Sequence, residues 1–469
     1  MRTIAVFFIV FYFNILNTNA QLPYTQTQFA YDSLINVVYG TALDYGGNID
    51  TLKMDIYKPV GDLNCSRPVI FLLHGGAWVV DSKENASMIY MSRQLAKMGW
   101  VVANINYRMG THKATDYSMQ FLCNTSISEP CAYVCDSAEV IRANFRAMQD
   151  AKGAIRFMKN RNEIDSSDIN NVYIAGESAG AFTSFMVGFT DKLSEKPVCC
   201  SAIADAPSPS AYFTTHVCNQ PPLNRTRPDL GDIEGSLNLG AFDAKVKGIG
   251  SFFGGVFDLN IFQQTDSTPC VYMFCQGSDV IVHYIYGSIF SRISTECYNV
   301  LCQPYGFYPK NYGNEGLRQY FVSVGSNSPV YQADIIDNYS LNNNCFENGH
   351  SIDTPQLRLQ NMVNLFATKI STSGNNPQTN CQTNTISNLY NNSKVIIFQN
   401  PVDIDFNVQI STELKGSNYF ITDQLGKILM TGKLMTEKSN INISNLSDGF
   451  YFLSIMNKNF KKTIKIVKQ

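Results

Sequence analysis

An apolar run, Asn171-Val172-Tyr173-Ile174-Ala175, leads straight into Gly176-Glu177-Ser178-Ala179-Gly180, and a helix-like stretch, Ala181–Phe189, follows. Few local patterns constrain a fold more. G-x-S-x-G between a strand and a helix describes a sharp turn that holds its serine in a strained backbone conformation. Such a turn presents Ser178 Oγ at the carboxyl edge of a sheet, and the flanking glycines let neighbouring backbone come close. It requires a strand buried on both faces and a helix packed directly against it.

The rest of the first 370 residues repeats that rhythm. Pro68–Leu73, Trp100–Tyr107 and Val271–Phe274 are further continuous apolar runs, and Leu52–Tyr57 alternates as an edge strand would. Lys83–Met98, Ala138–Arg161 and Gln356–Ile370 read as helices. Buried strands separated by helices predict an α/β fold, a doubly wound and mostly parallel sheet covered on both faces. Two polar, cysteine-bearing stretches, Thr111–Asp136 and Ser194–Asn238, break the rhythm and are expected as lid-like insertions that cap the pocket.

Three further segments frame the domain. Residues 1–20 combine Arg2, an apolar run from Ile4 to Leu16 and small residues before Ala20, the anatomy of a secretory signal peptide. The run falls short of the roughly 20 residues of a membrane span, so no stable span is expected. Residues 371–394 are rich in Ser, Thr, Asn and Gln without apolar period and read as a flexible linker. Residues 395–469 hold about seven short β-rich runs and no cysteine or arginine, which predicts a small β-sandwich. The expected organisation is therefore signal peptide 1–20, catalytic domain 21–370, linker 371–394 and C-terminal domain 395–469.

Composition removes one class of function. Lys+Arg is 36 and Asp+Glu is 38, so the chain lacks the basic footprint of a nucleic-acid-binding protein. Thirteen cysteines behind a signal peptide point to structural disulfides. Proximity suggests Cys297–Cys302 and a bond among Cys123, Cys131 and Cys135, with Cys381 or Cys275 left over. No C-x-x-C occurs, and neither metal nor cofactor is called for.

A second motif joins the serine. His74-Gly75-Gly76-Ala77-Trp78 follows the strand-like Val69–Leu73 and fits a loop whose backbone N–H groups stabilise an alkoxide. Gly76, Ala77 and Ala179 N–H are the expected oxyanion hole. Ser178 also needs a base, and the base an orienting acid. Of the five histidines, His74 lies in the oxyanion loop, and His112 and His216 fall in the insertions. His283 is too close in sequence to Asp279 to come from another loop and is expected to line the mouth. His350, ahead of the last helix, is the expected base, and Asp279, after Val271–Phe274, the expected acid. Glu347 and Asp353, on the His350 loop, are competing acids.

Together these residues resemble the carboxylesterase and lipase branch of the α/β-hydrolases. The resemblance covers roughly Thr25–Ile370 and is most specific at His74–Trp78, Asn106-Tyr107-Arg108, Gly176–Gly180, Asp279 and Asn348-Gly349-His350. It implies hydrolysis of a small-molecule or polymeric ester through an acyl-enzyme, without cofactor. The acid loop, Gln276-Gly277-Ser278-Asp279, departs from the usual His-Gly pattern, and the interval from Asp279 to His350 is long. A serine peptidase of the same fold and an idle adhesin on a hydrolase scaffold are the other readings. Acetylated polysaccharide, feruloyl ester, lipid and polyester all stay open as substrates. The tail resembles the C-terminal sorting domain of type IX secretion, through Phe398-Gln399-Asn400-Pro401, Asn445–Tyr451 and Lys461–Lys468. That resemblance implies the type IX machinery as partner and a secreted or cell-surface destination.

Overall fold

The computed structural model describes residues 22–110, 136–206, 226–262, 268–292, 308–337, 349–370, 395–398, 402, 404–423, 427–457 and 460–468. The chain divides into two units, Met1–Pro377 and Gln378–Gln469.

In the first unit, eight strands form one sheet in the order β1-β2-β4-β3-β5-β6-β8-β11. They are β1 (Ala30–Leu43), β2 (Ile49–Val60), β3 (Arg67–Leu73), β4 (Val101–Ile105), β5 (Ser167–Glu177), β6 (Gly248–Phe252), β8 (Cys270–Gln276) and β11 (Tyr331–Ile336). The pairs β1–β2 and β2–β4 are antiparallel and the rest of the sheet is parallel. A small antiparallel sheet joins β7 (Gly255–Val256), β10 (Lys310–Gly313) and β9 (Tyr286–Ser288). The helices are α1 (Ala86–Lys97), α2 (Ser137–Asn160), the single turn α3 (Asn162–Asp165), α4 (Ala179–Phe189), α5 (Asn314–Val324) and α6 (Pro355–Ala367).

Two-residue alternation sorts the strands between two cores. Ile70, Leu72, Tyr173 and Ala175 face α1 and α6, packing on Met88, Leu95, Met362 and Phe366. Phe71, Leu73, Val172 and Ile174 face α2 and α4, packing on Phe145, Met148, Phe182 and Phe185. Each such Val, Leu, Ile, Phe or Met side chain, fully buried, contributes about 1.5–3 kcal/mol of transfer free energy. Strand β2 departs from expectation. It is paired on both sides and is not an edge, because β1 lies outside it with Leu34, Ile35 and Val38 exposed.

The described parts of the second insertion run along α2. Arg142 donates to the carbonyls of Cys199 (2.8 Å), Ser201 (3.0 Å) and Pro228 (2.6 Å), and Gln149 to those of Leu230 and Asp232. Residues 111–135 of the first insertion, residues 207–225 of the second, the signal-peptide stretch and the linker lie outside the described residues. So do Cys297, Cys302, Cys123, Cys131, Cys135 and Cys381. Cys65 is disulfide-bonded. Cys199, Cys200, Cys270 and Cys275 are free thiols.

The second unit pairs a three-stranded antiparallel sheet with a four-stranded one. The first is β12 (Val395–Phe398), β13 (Asp405–Ile410) and β16 (Lys438–Asn442). The second runs β15 (Ile428–Leu434), β14 (Ser417–Thr422), β17 (Gly449–Asn457) and β18 (Phe460–Lys468). Every second residue faces inward, as in Phe406-Val408-Ile410 and Tyr451-Leu453-Ile455, and these side chains share one core.

Candidate active site

Strand β5 ends at Glu177 and α4 begins at Ala179, so Ser178 occupies the turn between them, at φ 51° and ψ −119°. That conformation costs on the order of 1–3 kcal/mol and is held by the packing around it. Ser178 N–H donates to Phe252 O at 3.0 Å, and Ser178 O accepts from Ala181 and Phe182. A Cβ added to Gly180 would sit 2.2 Å from Leu73 O, so only glycine lets α4 press this close to β3.

His350 Nε2 lies 3.0 Å from Ser178 Oγ, and His350 Nδ1 lies 2.9 Å from Asp279 Oδ2. The other Asp279 oxygen accepts from the backbone of Ile281 (2.8 Å) and Val282 (3.0 Å). Asp279 is buried, whereas the His350 side chain is 15% exposed, open to the pocket beside Ser178. The acid loop is anchored by Arg292, which donates to Gly277 O and Asp279 O. Gln276 donates to Ser351 O at 2.9 Å and ties the Asp279 loop to the His350 loop. Gly349, at φ 79°, lies so close to Asp279 N that an added Cβ would meet it at 2.2 Å.

Of the competing groups, Asp353 is ion-paired with Arg358 at 2.9 Å, and Glu347 lies outside the described residues. His283 does not line the mouth. Its Nδ1 accepts from Ile285 N–H, and its ring packs against Gly287 beneath the small sheet. His112 and His216 are outside the described residues.

The His74–Trp78 loop folds through three consecutive left-handed residues, Gly76 (φ 94°), Ala77 (52°) and Trp78 (59°). Trp78 is buried and donates through Nε1 to Thr183 Oγ1 of α4 at 3.2 Å. His74 is buried against Tyr107, rings stacked at 4.3 Å, with Nδ1 2.9 Å from Gly75 O. Burial pushes its pKa down to about 4, so it stays neutral and serves the loop's structure. Tyr107 O–H donates to His74 O at 2.7 Å, Asn106 Oδ1 accepts from Lys83 N–H, and Arg108 pairs with buried Asp150. Asn106 and Tyr107 thus each pin a loop beside the site, and Arg108 ties the motif to α2.

These elements border a cavity of about 590 Å³, with Gly76, Ser178 and His350 in its wall. Ala77 and Ala179 follow directly after the lining residues Gly76 and Ser178. Ala179 opens α4, so its N–H has no acceptor within the helix. Phe253 and Ile352 supply apolar wall, and Asn85, Ser87 and Tyr90 of the α1 start supply polar wall. Sequence reading passed over this α1 contribution, because residues that cap a helix carry no separate chemical signature. Glu177 also lines the cavity beside Ser178, only 8% exposed, and burial raises its pKa to about 7.

Residues 54–140 match the BD-FAE family model, and residues 396–469 match that of the secretion system C-terminal sorting domain. Gut esterase 1 of Caenorhabditis elegans is 26% identical over 137 residues, which is 29% of this chain and 20% of that protein, so the chain spans about a fifth of that relative. Among solved structures, apo esterase 2 of Thermogutta terrifontis is 13% identical, with 72% of this chain and 94% of that one covered at a TM-score of 0.38. A bifunctional GH43-CE protein of Bacteroides eggerthii is 14% identical, with 72% and 38% covered at 0.41. No helix among the described residues is long and apolar enough to cross a membrane. With its mostly parallel sheet and these two family matches, the chain carries an esterase-like α/β-hydrolase domain followed by a type IX sorting domain, which marks it as secreted or displayed at the cell surface.

Proposed function

We propose that the protein is a secreted serine carboxylesterase working through an acyl-enzyme on Ser178. The observation that carries this reading is the hydrogen-bonded series Ser178–His350–Asp279, at 3.0 and 2.9 Å, in the wall of the cavity. Ser178 Oγ attacks the ester carbonyl while His350 Nε2 takes its proton. Asp279 orients the imidazole and balances the charge it gains. Gly76, Ala77 and Ala179 N–H receive the oxyanion. His350 then gives the proton to the leaving alcohol, which departs as the C–O bond breaks. A water, deprotonated by the same imidazole, attacks the acyl-enzyme and releases the acid and free Ser178.

In this reading residues 21–370 form the catalytic domain, 371–394 the linker and 395–469 the export signal. The test is p-nitrophenyl acetate hydrolysis by wild type and Ser178→Ala, alongside labelling with a serine-reactive phosphonate. Loss of one triad member costs on the order of 10⁴–10⁶ in kcat. Folded Ser178→Ala within tenfold of wild type, or phosphonate attached elsewhere, overturns the assignment. A 21–370 protein should hydrolyse the same ester within tenfold of the longer form.

A further inference from the structure

Glu177 immediately precedes the nucleophile and is 8% exposed. Its Oε2 lies 2.8 Å from Ser87 Oγ at the start of α1. Its Oε1 is buried and has no hydrogen-bond partner among the described residues. A buried carboxylate in that state lacks most of the donors that make an anion tolerable away from water.

Counting protons around Ser87 sharpens the point. Ser87 Oγ also lies 2.9 Å from Asn85 Oδ1. The orientation of that amide follows from its neighbours. Asn85 Nδ2 donates to Asp81 Oδ2 at 2.5 Å, and Asn85 Oδ1 accepts the Ser87 backbone N–H at 2.8 Å as the cap of α1. Oδ1 is therefore an acceptor. A serine hydroxyl carries a single proton. With Glu177 ionised, that proton would face two acceptors, and one of two oxygen pairs under 3 Å would have no hydrogen between them. With a proton on Glu177 Oε2, each contact has one donor. Glu177 donates to Ser87, Ser87 to Asn85, and Asn85 to exposed, solvated Asp81.

The geometry points to Glu177 as a neutral carboxylic acid that donates into the Ser87–Asn85–Asp81 series, its proton keeping negative charge away from the oxyanion formed at Ser178. Its second half rests on the esterase reading above. Glu177 touches no reacting atom in this scheme and is a positioning residue. The electrostatics agree. Burial is the largest influence and holds its carboxyl up at about 7. Among the groups facing it, the Ser87 hydroxyl and His350 on the facing loop oppose that rise, and Asp81 ahead of α1 adds to it, with burial outweighing both opposing groups. Phe252, its partner on β6, brings no charge.

Two measurements on the full chain test this. The first is an infrared pH titration of wild type and Glu177→Gln. At about pH 6 ordinary carboxyls are ionised, so a protonated-carboxyl carbonyl band that persists there, fades near neutrality and is missing from Glu177→Gln is the expected result. Spectra that match at about pH 6 overturn the neutral acid. The second is the ratio of kcat/KM at about pH 8.5 to that at about pH 6. Glutamine keeps a donor toward Ser87 and cannot ionise, so this ratio should rise about threefold or more over wild type. An unchanged ratio removes the link to the oxyanion. The infrared result does not depend on ester turnover, so failure of the esterase reading would leave the band in place.

Discussion

Two buried carboxyl groups flank the Ser178–His350 pair, and their surroundings are opposite. Asp279 meets three N–H donors, two from the backbone of Ile281 and Val282 and one from His350. Glu177 has one oxygen against a hydroxyl already shared with Asn85 and another with no partner among the described residues. In the proposed scheme the Asp279 loop holds an anion, and the turn that carries Glu177 and Ser178 holds a neutral acid. One functional group is thus given two jobs by the number of donors around it.

The strongest blow to that contrast is Asp279→Asn. The amide keeps the shape but favours the wrong imidazole tautomer, and kcat should fall by roughly 10⁴. Steady-state hydrolysis of p-nitrophenyl acetate measures it. A fall under tenfold, with Glu347→Gln severe instead, would move the acid to Glu347 and dissolve the comparison. Next comes Gly349→Ala. Its positive φ and the 2.2 Å approach of an added Cβ to Asp279 N mean that the histidine loop must shift off the acid loop. A displacement near 1 Å can cost about 10²-fold, so kcat should drop on that scale with substrate binding less affected.

How far these features were legible in the sequence depended on whether they were local. Strands β3, β5 and β8 announce themselves because each holds a continuous apolar run buried on both faces, Pro68–Leu73, Val172–Ala175 and Val271–Phe274. Strand β6 hides behind Gly248 and Gly250. Those positions are glycine because Phe366 and Met362 of α6 fill the space, with added Cβ atoms 2.8 and 2.4 Å from them. Strand β1 hides because its register shifts near Leu34 and Val38 break the two-residue alternation. Ser178 and the oxyanion loop are legible for the same local reason, since their glycines lie beside the residues they serve. The state of Glu177 is not, because it depends on Ser87, ninety residues away.

A smaller effect concerns stability. The Glu177 carboxyl is held near 7 when folded and titrates near its ordinary value of about 4.3 when unfolded. The folded state therefore binds the extra proton between those values. The contribution is full below about pH 4 and is lost as pH rises to about 7. Glu177→Gln lacks this loss, so its stability relative to wild type should rise by about 3 kcal/mol between about pH 4 and pH 8. Urea denaturation at the two pH values reads it directly. An equal difference at both would mean that Glu177 titrates alike in the two states.

The smallest predicted effect is also the most discriminating, because its sign alone decides. Ser87→Ala deletes the hydroxyl between Glu177 and Asn85 while leaving the Ser87 backbone N–H in place to cap α1. If Glu177 donates to Ser87, the neutral acid loses its acceptor and the carboxyl becomes easier to ionise. A net hydrogen bond is worth about 1 kcal/mol, so the infrared midpoint should move down by somewhat under one pH unit. If Ser87 instead donates to an ionised Glu177, the same deletion strips the anion of its one donor, and the midpoint moves up. Both changes remove the same atoms and similar packing, so fold damage cannot mimic one direction selectively. A downward shift keeps Asp279 and Glu177 as opposites. An upward shift makes Glu177 a second, poorly solvated carboxylate beside the nucleophile, and the difference between the two sides of the site becomes one of degree.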